Sequence, residues 1–149
     1  MRISDVLLGK PARLVTLPSI ASALDAATLM RAEAVGAILI CDRSGAFLGV
    51  MSDRSVAVAI ATHGAGFFRR RVTELMTSVG PTTSPNDLVV DVIRTMIERR
   101  AHHAPVIYGG KVVGIVSAGD LMKAQLETPS LGRRRRPEPQ SVTSAGLVA

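Results

Sequence analysis

The sequence contains the stretch GVMS at residues 49–52 and the similar stretch GIVS at residues 114–117. Each follows a short apolar segment and a turn, which is DRSG at 42–45 in the first case and YGG at 108–110 in the second. Gly-Gly between two apolar segments is a strong hairpin signal. The two stretches therefore predict two similar β-hairpins, one in each half of the chain.

The similarity extends upstream of these hairpins. Residues 16–30 align with residues 82–96 without a gap, so that Met30 falls on Met96. Further upstream, ISDVL at 3–7 aligns with VTELM at 72–76. Self-similarity over a whole segment is the signature of an internal repeat. The chain is predicted to consist of two copies of one unit.

Each copy is predicted to begin with a helical turn and a short strand. Ser4 and Thr73 are the candidate N-caps of the two helical turns, since each precedes an acidic residue and hydroxyl side chains cap helices well. The short strands are expected near Thr16 and Thr82.

The rest of each copy predicts an amphipathic helix, a hairpin and a closing helix. In copy two, Leu88, Val92 and Met96 recur at helical spacing, with Ile93 and Ile97 as further candidates, and SPND at 84–87 supplies a start signal. The predicted hairpin strands and closing helices are 37–41, 47–51 and 55–62 in copy one, and 104–108, 112–116 and 118–126 in copy two.

The composition favours one soluble α/β unit. Of the 149 residues, 47% are hydrophobic and 3% aromatic, so aliphatic side chains must form the core, as in a sheet covered by helices. No apolar run is long enough to span a bilayer and no leader peptide is visible. The single cysteine, Cys41, excludes an internal disulfide and suits a reducing compartment. A cytoplasmic location is expected.

The charge is concentrated at one end. Arg133–Arg136 stand against Glu138 alone, which gives the tail a net charge of +3 out of the +6 of the chain. The tail could bind nucleic acid through its arginines, but no aromatic side chains are interleaved for base stacking, and nucleic acid is not the expected partner.

The predicted organisation is a first repeat at 1–62, a linker at 63–71, a second repeat at 72–128 and a disordered Arg/Pro-rich tail at 129–149.

No catalytic or metal-binding pattern is visible. The sequence lacks a phosphate-binding loop, a dinucleotide fingerprint and a nucleophile with an adjacent base. His102 and His103 are adjacent and would point to opposite faces of a strand. With His63 and Cys41 they give no zinc-ligand spacing. The chain is predicted to be no enzyme and to hold no metal.

Four motifs resemble the CBS domain, the regulatory module named after cystathionine β-synthase. They are VTELM at 72–76, TTSPND at 82–87, APV at 104–106 and GIVSAGD at 114–120. The resemblance implies two β-α-β-β-α repeats of α/β (α+β) class, packed with pseudo-twofold symmetry as a Bateman-type module. It also implies clefts for AMP, ADP, ATP, S-adenosylmethionine or NAD, with no required cofactor, and association into a homodimer that controls an unidentified partner protein.

In the family, the Gly-h-h-Ser-x-x-Asp pattern, where h is apolar, carries the nucleotide. The resemblance assigns this role to Ser117 and Asp120, because a carboxylate can accept hydrogen bonds from both ribose hydroxyls. The alternative is that both residues only cap a helix. Copy one has Ser55 at the position of Asp120, so the ligand is expected mainly in the repeat-two cleft.

Further candidates are assigned around the same ligand. Arg54 could reach its phosphate or be a solvated surface arginine, and His103 could touch the phosphate or base or lie half-exposed near a turn. The adenine slot is expected to be lined by Thr82, Thr83, Ala104, Pro105 and Val116, with core packing as the alternative for the apolar members and the favoured one for Val116.

Three functions follow. The leading one is a non-enzymatic sensor of an adenosine-containing ligand. The second is a structural dimerisation or interaction module that ignores nucleotides, and the absence of an acidic residue at Ser55 keeps it open. The third is nucleic-acid binding through the arginine-rich tail.

Overall fold

The computed structural model describes residues 1–127. These residues form two α+β repeats with nearly the same order of elements. The elements are α1 (Ile3–Leu8), β1 (Thr16–Pro18), α2 (Ala23–Glu33), β2 (Ala37–Cys41), β3 (Phe47–Ser52), α3 (Asp53–His63), a 3-10 helix (Gly64–Arg69), α4 (Val72–Leu75), α5 (Val89–Arg99), β4 (His103–Tyr108), β5 (Lys111–Ser117) and α6 (Ala118–Glu127).

The predicted hairpins are confirmed. In repeat one, β2 pairs antiparallel with β3, and β1 lies parallel to β2 on its other side. In repeat two, β4 pairs antiparallel with β5. The two repeats also join strand to helix alike, since Asp53 N donates to Gly36 O and Ala118 N donates to His102 O, each at 2.9 Å. The two repeats thus share the hairpin and the strand-to-helix junction, which agrees with the pseudo-twofold arrangement that the resemblance implies.

The strand predicted near Thr82 is wrong. Its place is taken by a single parallel bridge between Thr83 and Val106, in which Thr83 N donates to Pro105 O and Ile107 N donates to Thr83 O. The pairing stops there because the chain turns at once, with Asp87 Oδ2 accepting from Ser84 N at 2.8 Å.

The leading helix of each repeat packs in the core of the other repeat. Ile3 and Val6 of α1 are buried with Val89, Met96 and Leu121 of repeat two. In the same way, α4 of repeat two contributes its buried valine, Val72, to the core that repeat one builds around Ala26, Met30, Ile38, Ile40 and Met51. Each hydrophobic core therefore contains residues of both repeats, so a single sequence repeat does not form a core of its own.

This exchange explains why the predicted N-caps are wrong. Ser4 and Thr73 lie inside α1 and α4, whose N-caps are Arg2 and Arg71. Backbone carbonyls of the other repeat accept from the first amides: Ile3 N donates to Asp87 O at 3.0 Å, and Val72 N donates to Ala21 O at 2.9 Å. Since these donors are already satisfied, a hydroxyl cap has little to add.

The amphipathic helix of copy two differs in its extent from the prediction. Leu88 is the N-cap of α5 and is 43% exposed, and Ile97 is 72% exposed, so only Val89, Val92 and Met96 form the buried stripe of the helix. The linker predicted at 63–71 contains the 3-10 helix Gly64–Arg69. The tail predicted at 129–149 lies outside the described residues.

Candidate ligand cleft

A cleft of about 1090 Å³ lies between the two repeats. Repeat one lines it with the end of β3 and one side of α3. Repeat two lines it with the segments 77–82 and 99–103 and with Pro105. Small-molecule sites typically enclose about 300–1,000 Å³, so this cleft has room for a nucleotide.

The repeat-one wall is the beginning of α3. Ser52 and Ser55 form a reciprocal cap, in which Ser55 N donates to Ser52 Oγ at 3.1 Å and Ser52 N donates to Ser55 Oγ at 3.3 Å. Between them, Asp53 and Arg54 are exposed and line the cleft. This wall therefore offers hydroxyls, one carboxylate and one guanidinium within a single helical turn.

The repeat-two wall is mainly basic. It presents Arg99, Arg100, His102 and His103, with the exposed hydroxyl of Thr82 beside them. Arg100 ends α5 in the left-handed conformation, with φ 51°. With Arg54, the described lining contains three arginines against the two carboxylates of Asp53 and Glu74, a balance that favours an anionic ligand.

His103 lies where the two repeats meet. A Cβ on Gly36 would stand 3.2 Å from Asp53 Oδ2 and 3.4 Å from His103 Nε2, which places both side chains against the same backbone. Burial lowers the pKa of His103, and this outweighs the opposite effect of the Asp53 carboxylate. Burial therefore favours the uncharged form of this imidazole.

Ser117 and Asp120 are absent from the lining of this cleft. They cap α6, since Asp120 N donates to Ser117 Oγ at 3.1 Å and Ser117 N donates to Asp120 Oδ2 at 2.7 Å. Asp120 Oδ2 also accepts from Lys10 Nζ at 2.5 Å. Burial opposes ionisation of this carboxyl, but the hydrogen bonds from Lys10 and Ser117 outweigh it and lower the pKa of Asp120.

The predicted adenine slot is also divided. Thr82 and Pro105 line the large cleft. Thr83 is buried, and its hydroxyl donates to Asp87 Oδ2 at 2.7 Å; Ala104 and Val116 are fully buried in the repeat-two core. Thr83 and Ala104 also border a separate pocket of about 130 Å³.

The nine candidates thus divide between the large cleft and other parts of the molecule, and their roles toward a ligand stay predictions. Arg54, Thr82, His103 and Pro105 share the large cleft, whereas Ser117, Asp120, Thr83, Ala104 and Val116 do not line it. The sequence reasoning also missed Lys10. Its signal is weak, because it consists only of one lysine in residues 8–15, a stretch of eight residues where copy two has the five residues 77–81 between the aligned segments.

Comparison with known proteins now identifies the family. The sequence model of the CBS domain matches residues 4–62 and 72–127. The chain belongs to the CBS-domain family. It is 30% identical over 108 residues to the CBS domain-containing protein YhcV of Bacillus subtilis (strain 168), covering 72% of this chain and 76% of that protein. Longer relatives contain more than this unit: the chain spans 18% of CBSCBSPB3 of Arabidopsis thaliana, with 26% identity over 102 residues, or 68% of this chain.

Solved structures agree with this CBS pair. The CBS-domain containing protein ATU1752 from Agrobacterium tumefaciens superposes with a TM-score of 0.80 at 30% identity, covering 83% of this chain and 92% of that one. The CBS domain pair of protein MJ0100, solved in complex with 5-methylthioadenosine and S-adenosyl-L-methionine, has a TM-score of 0.74 at 22% identity, over 84% and 95% of the two chains. A CBS pair is a regulatory module.

Two absences within residues 1–127 bear on other functions. No helix in that span combines the length and the hydropathy needed to cross a bilayer. In the same part of the chain, no three His, Cys, Asp or Glu side chains converge as metal ligands.

Proposed function

We propose that this CBS pair is a regulatory, non-enzymatic module that binds an adenosine-containing nucleotide in the cleft between its repeats. The observation that carries the proposal is that Arg54 of repeat one lines the same cleft of nucleotide size as three basic residues of repeat two, Arg99, Arg100 and His103. The complex of MJ0100 with two adenosine compounds supports this class of ligand.

The lining divides into three chemical parts that match the parts of a nucleotide. Pro81, Pro105 and Val58 provide apolar surface for a base, while Ser55 and Thr82 provide hydroxyls near a sugar. The arginines suit phosphate, because a guanidinium can donate two parallel hydrogen bonds to its oxygens. AMP, ADP, ATP and NAD carry such phosphates, whereas S-adenosylmethionine does not.

Binding would act on the relation between the two repeats. A ligand in the cleft touches α3 of one repeat and the start of β4 of the other. It therefore favours the arrangement of the repeats in which the ligand contacts both walls of the cleft at once. A partner protein that recognises this arrangement would then respond to the nucleotide.

A thermal-shift panel tests the proposal. AMP, ADP, ATP, NAD and S-adenosylmethionine are each added to folded protein, and we expect the phosphate-bearing compounds to raise the Tm. Arg54→Ala should weaken ligand affinity at least tenfold and should therefore reduce the shift in Tm. Arg43→Ala, which removes an exposed arginine outside the cleft lining, is the matched control. A panel without any shift on well-folded protein would refute the function.

A second function, self-association, is favoured by exposed apolar side chains. Met122 and Leu126 are 61% and 84% exposed and lie four residues apart on α6, so they share one helix face. We propose that a second copy of the chain covers this face to form a homodimer. Sedimentation should show a dimer for the wild type and a monomer for Met122→Glu with Leu126→Glu. Dimers that persist in this double variant would contradict the proposal.

We also propose a cytoplasmic location, because the single Cys41 of the sequence suits a reducing compartment. Nucleic-acid binding through Arg133–Arg136 concerns a segment outside the described residues. Deleting residues 129–149 should abolish any retention on DNA or RNA if the tail is its cause.

A further inference from the structure

The two closing helices begin in the same way but face different surroundings. Ser52 and Ser55 cap α3, and Ser117 and Asp120 cap α6 at the equivalent positions. The repeat-one pair borders the large cleft. The equivalent position at the start of α6 is contacted by Lys10. The pseudo-twofold symmetry of the fold is thus broken at these two places.

The difference arises where each leading helix ends. After α4, Thr77 pairs with the edge of β3 through its backbone: Val50 N donates to Thr77 O at 3.0 Å, and Thr77 N donates to Val50 O at 2.8 Å. After α1, the carbonyl of Ile115, which is equivalent to Val50, accepts instead from Lys10 Nζ at 2.9 Å. A lysine side chain therefore supplies a bond to β5 where the other repeat uses backbone.

Lys10 Nζ makes its second bond to Asp120 Oδ2 at 2.5 Å. The two side chains are only 28% and 27% exposed, so solvent screens their attraction less than that of a surface pair. Asp120 Oδ2 accepts from both Lys10 Nζ and Ser117 N, so a cation and a backbone amide already bind the carboxylate that a ligand hydroxyl would use as acceptor. A neutral donor such as a ribose hydroxyl would have to compete with this tethered cation for the carboxylate.

We propose that Lys10 closes the second, Asp120-containing site of this CBS pair, so that the chain takes one nucleotide instead of two. Lys10 acts as an internal substitute for a ligand and determines which of the two equivalent sites is available. The identity of the ligand rests on the proposed function, while the closure itself rests on the contacts of Lys10.

Isothermal titration with AMP tests the closure by stoichiometry. The wild type should bind one AMP per chain and Lys10→Ala should bind two, while Lys10→Ala with Asp120→Ala should return to one. Arg13→Ala is the matched control, because it removes a nearby basic side chain that bonds Glu33 instead, and it should bind one. Urea unfolding verifies that each variant is folded. If Lys10→Ala does not fold, Lys10→Gln is used in its place, since a glutamine amide removes the charge and can still donate a hydrogen bond.

The outcomes separate this inference from the proposed function. A wild type that binds two AMP, or a folded Lys10 variant with the stoichiometry of the wild type, overturns the closure. A wild type that binds none and a Lys10 variant that binds one supports the closure but refutes the large cleft as an AMP site. One AMP in both proteins leaves the proposed function standing and removes the role of Lys10.

Discussion

Leu7 of α1 lies against the backbone of Gly114 on β5, so closely that a Cβ on this glycine would stand 2.6 Å from Leu7 Cδ2. The same relation occurs in the other repeat, where a Cβ on Gly49 would stand 2.9 Å from Met76 Sδ and 2.8 Å from the carbonyl oxygen of Thr77. The glycine that begins GVMS and GIVS is therefore required by the leading helix of the opposite repeat and the segment after it. Its role is packing, whatever the rest of the motif binds.

Gly49→Ala should destabilise the fold. The new methyl group would meet a backbone oxygen, which cannot move without disturbing the Thr77–Val50 pairing, and overpacking of this kind costs about 1–3 kcal/mol. Urea unfolding measures the loss. Gly66→Ala is the control, since nothing lies within 4 Å of a Cβ there. Equal stability of the two variants would show that the close approach of Thr77 to Gly49 does not limit stability.

Gly114→Ala should cost less than Gly49→Ala, because its new methyl group meets the end of a flexible side chain. Leu7→Ala would vacate that space. We therefore expect the double variant Leu7→Ala with Gly114→Ala to be more stable than the sum of the single effects predicts. Additive free energies of unfolding would mean that Leu7 is not what excludes a side chain at Gly114.

Ile3→Ala tests the exchange of the leading helices. Ile3 is fully buried in the repeat-two core, and truncating such a side chain costs about 2–5 kcal/mol. Hydrogen exchange should show lost protection in β4 and β5 although the change is in the first residues of the chain. Leu8→Ala, at an 87% exposed position of the same helix, should change little. Loss of protection confined to β1, β2 and β3 would contradict the exchange.

The sequence predicted the hairpins to within one or two residues because their signals are local. The turn glycines Gly109 and Gly110 adopt positive φ angles of 58° and 76°, which their lack of a side chain permits. The exchange of α1 and α4 could not be predicted in this way. The apolar pattern of Ile3 and Val6 requires that they be buried, but it does not specify which of two similar cores receives them.

The site was predicted less well for a related reason. The family pattern marked Asp120, but a pattern does not show that Lys10, 110 residues away, bonds this carboxylate. Conversely, Arg54 is a candidate because a guanidinium suits phosphate, and His103 because the family often has basic residues just before its Pro-Val strand. Both line the large cleft. Contacts across the pseudo-twofold axis decide the chemistry, and no local signal specifies them.

His103 should make stability depend on pH. Its pKa in the folded chain is lowered, first by burial and then by His102 and Lys10, against the raising effects of Asp53 and Asp120. Between the folded and the unfolded value the unfolded chain binds more protons. The free energy of unfolding should therefore rise with pH up to about pH 6.5, and His103 should add no further increase above that pH.

His103→Gln removes this contribution to the pH dependence. Urea midpoints between pH 5 and pH 8 should rise less steeply for this variant than for the wild type. The matched control is His63→Gln, which removes another imidazole from the lining of the same cleft. If His103→Gln and His63→Gln gave the same profile, burial of His103 would not be the cause.

Thr82 and Thr83 are neighbours with opposite expected roles. Thr82 is exposed on the large cleft, so Thr82→Val should weaken AMP binding and leave the urea midpoint unchanged. Thr83→Val should instead lower stability by about 1 kcal/mol, because Asp87 loses the hydrogen bond from a buried hydroxyl, and should leave AMP affinity unchanged. Titration and unfolding of both variants provide the comparison. If Thr83→Val lost AMP affinity without losing stability, Thr83 would belong to the ligand site, and the assignment of Thr82 alone to the large cleft would be wrong.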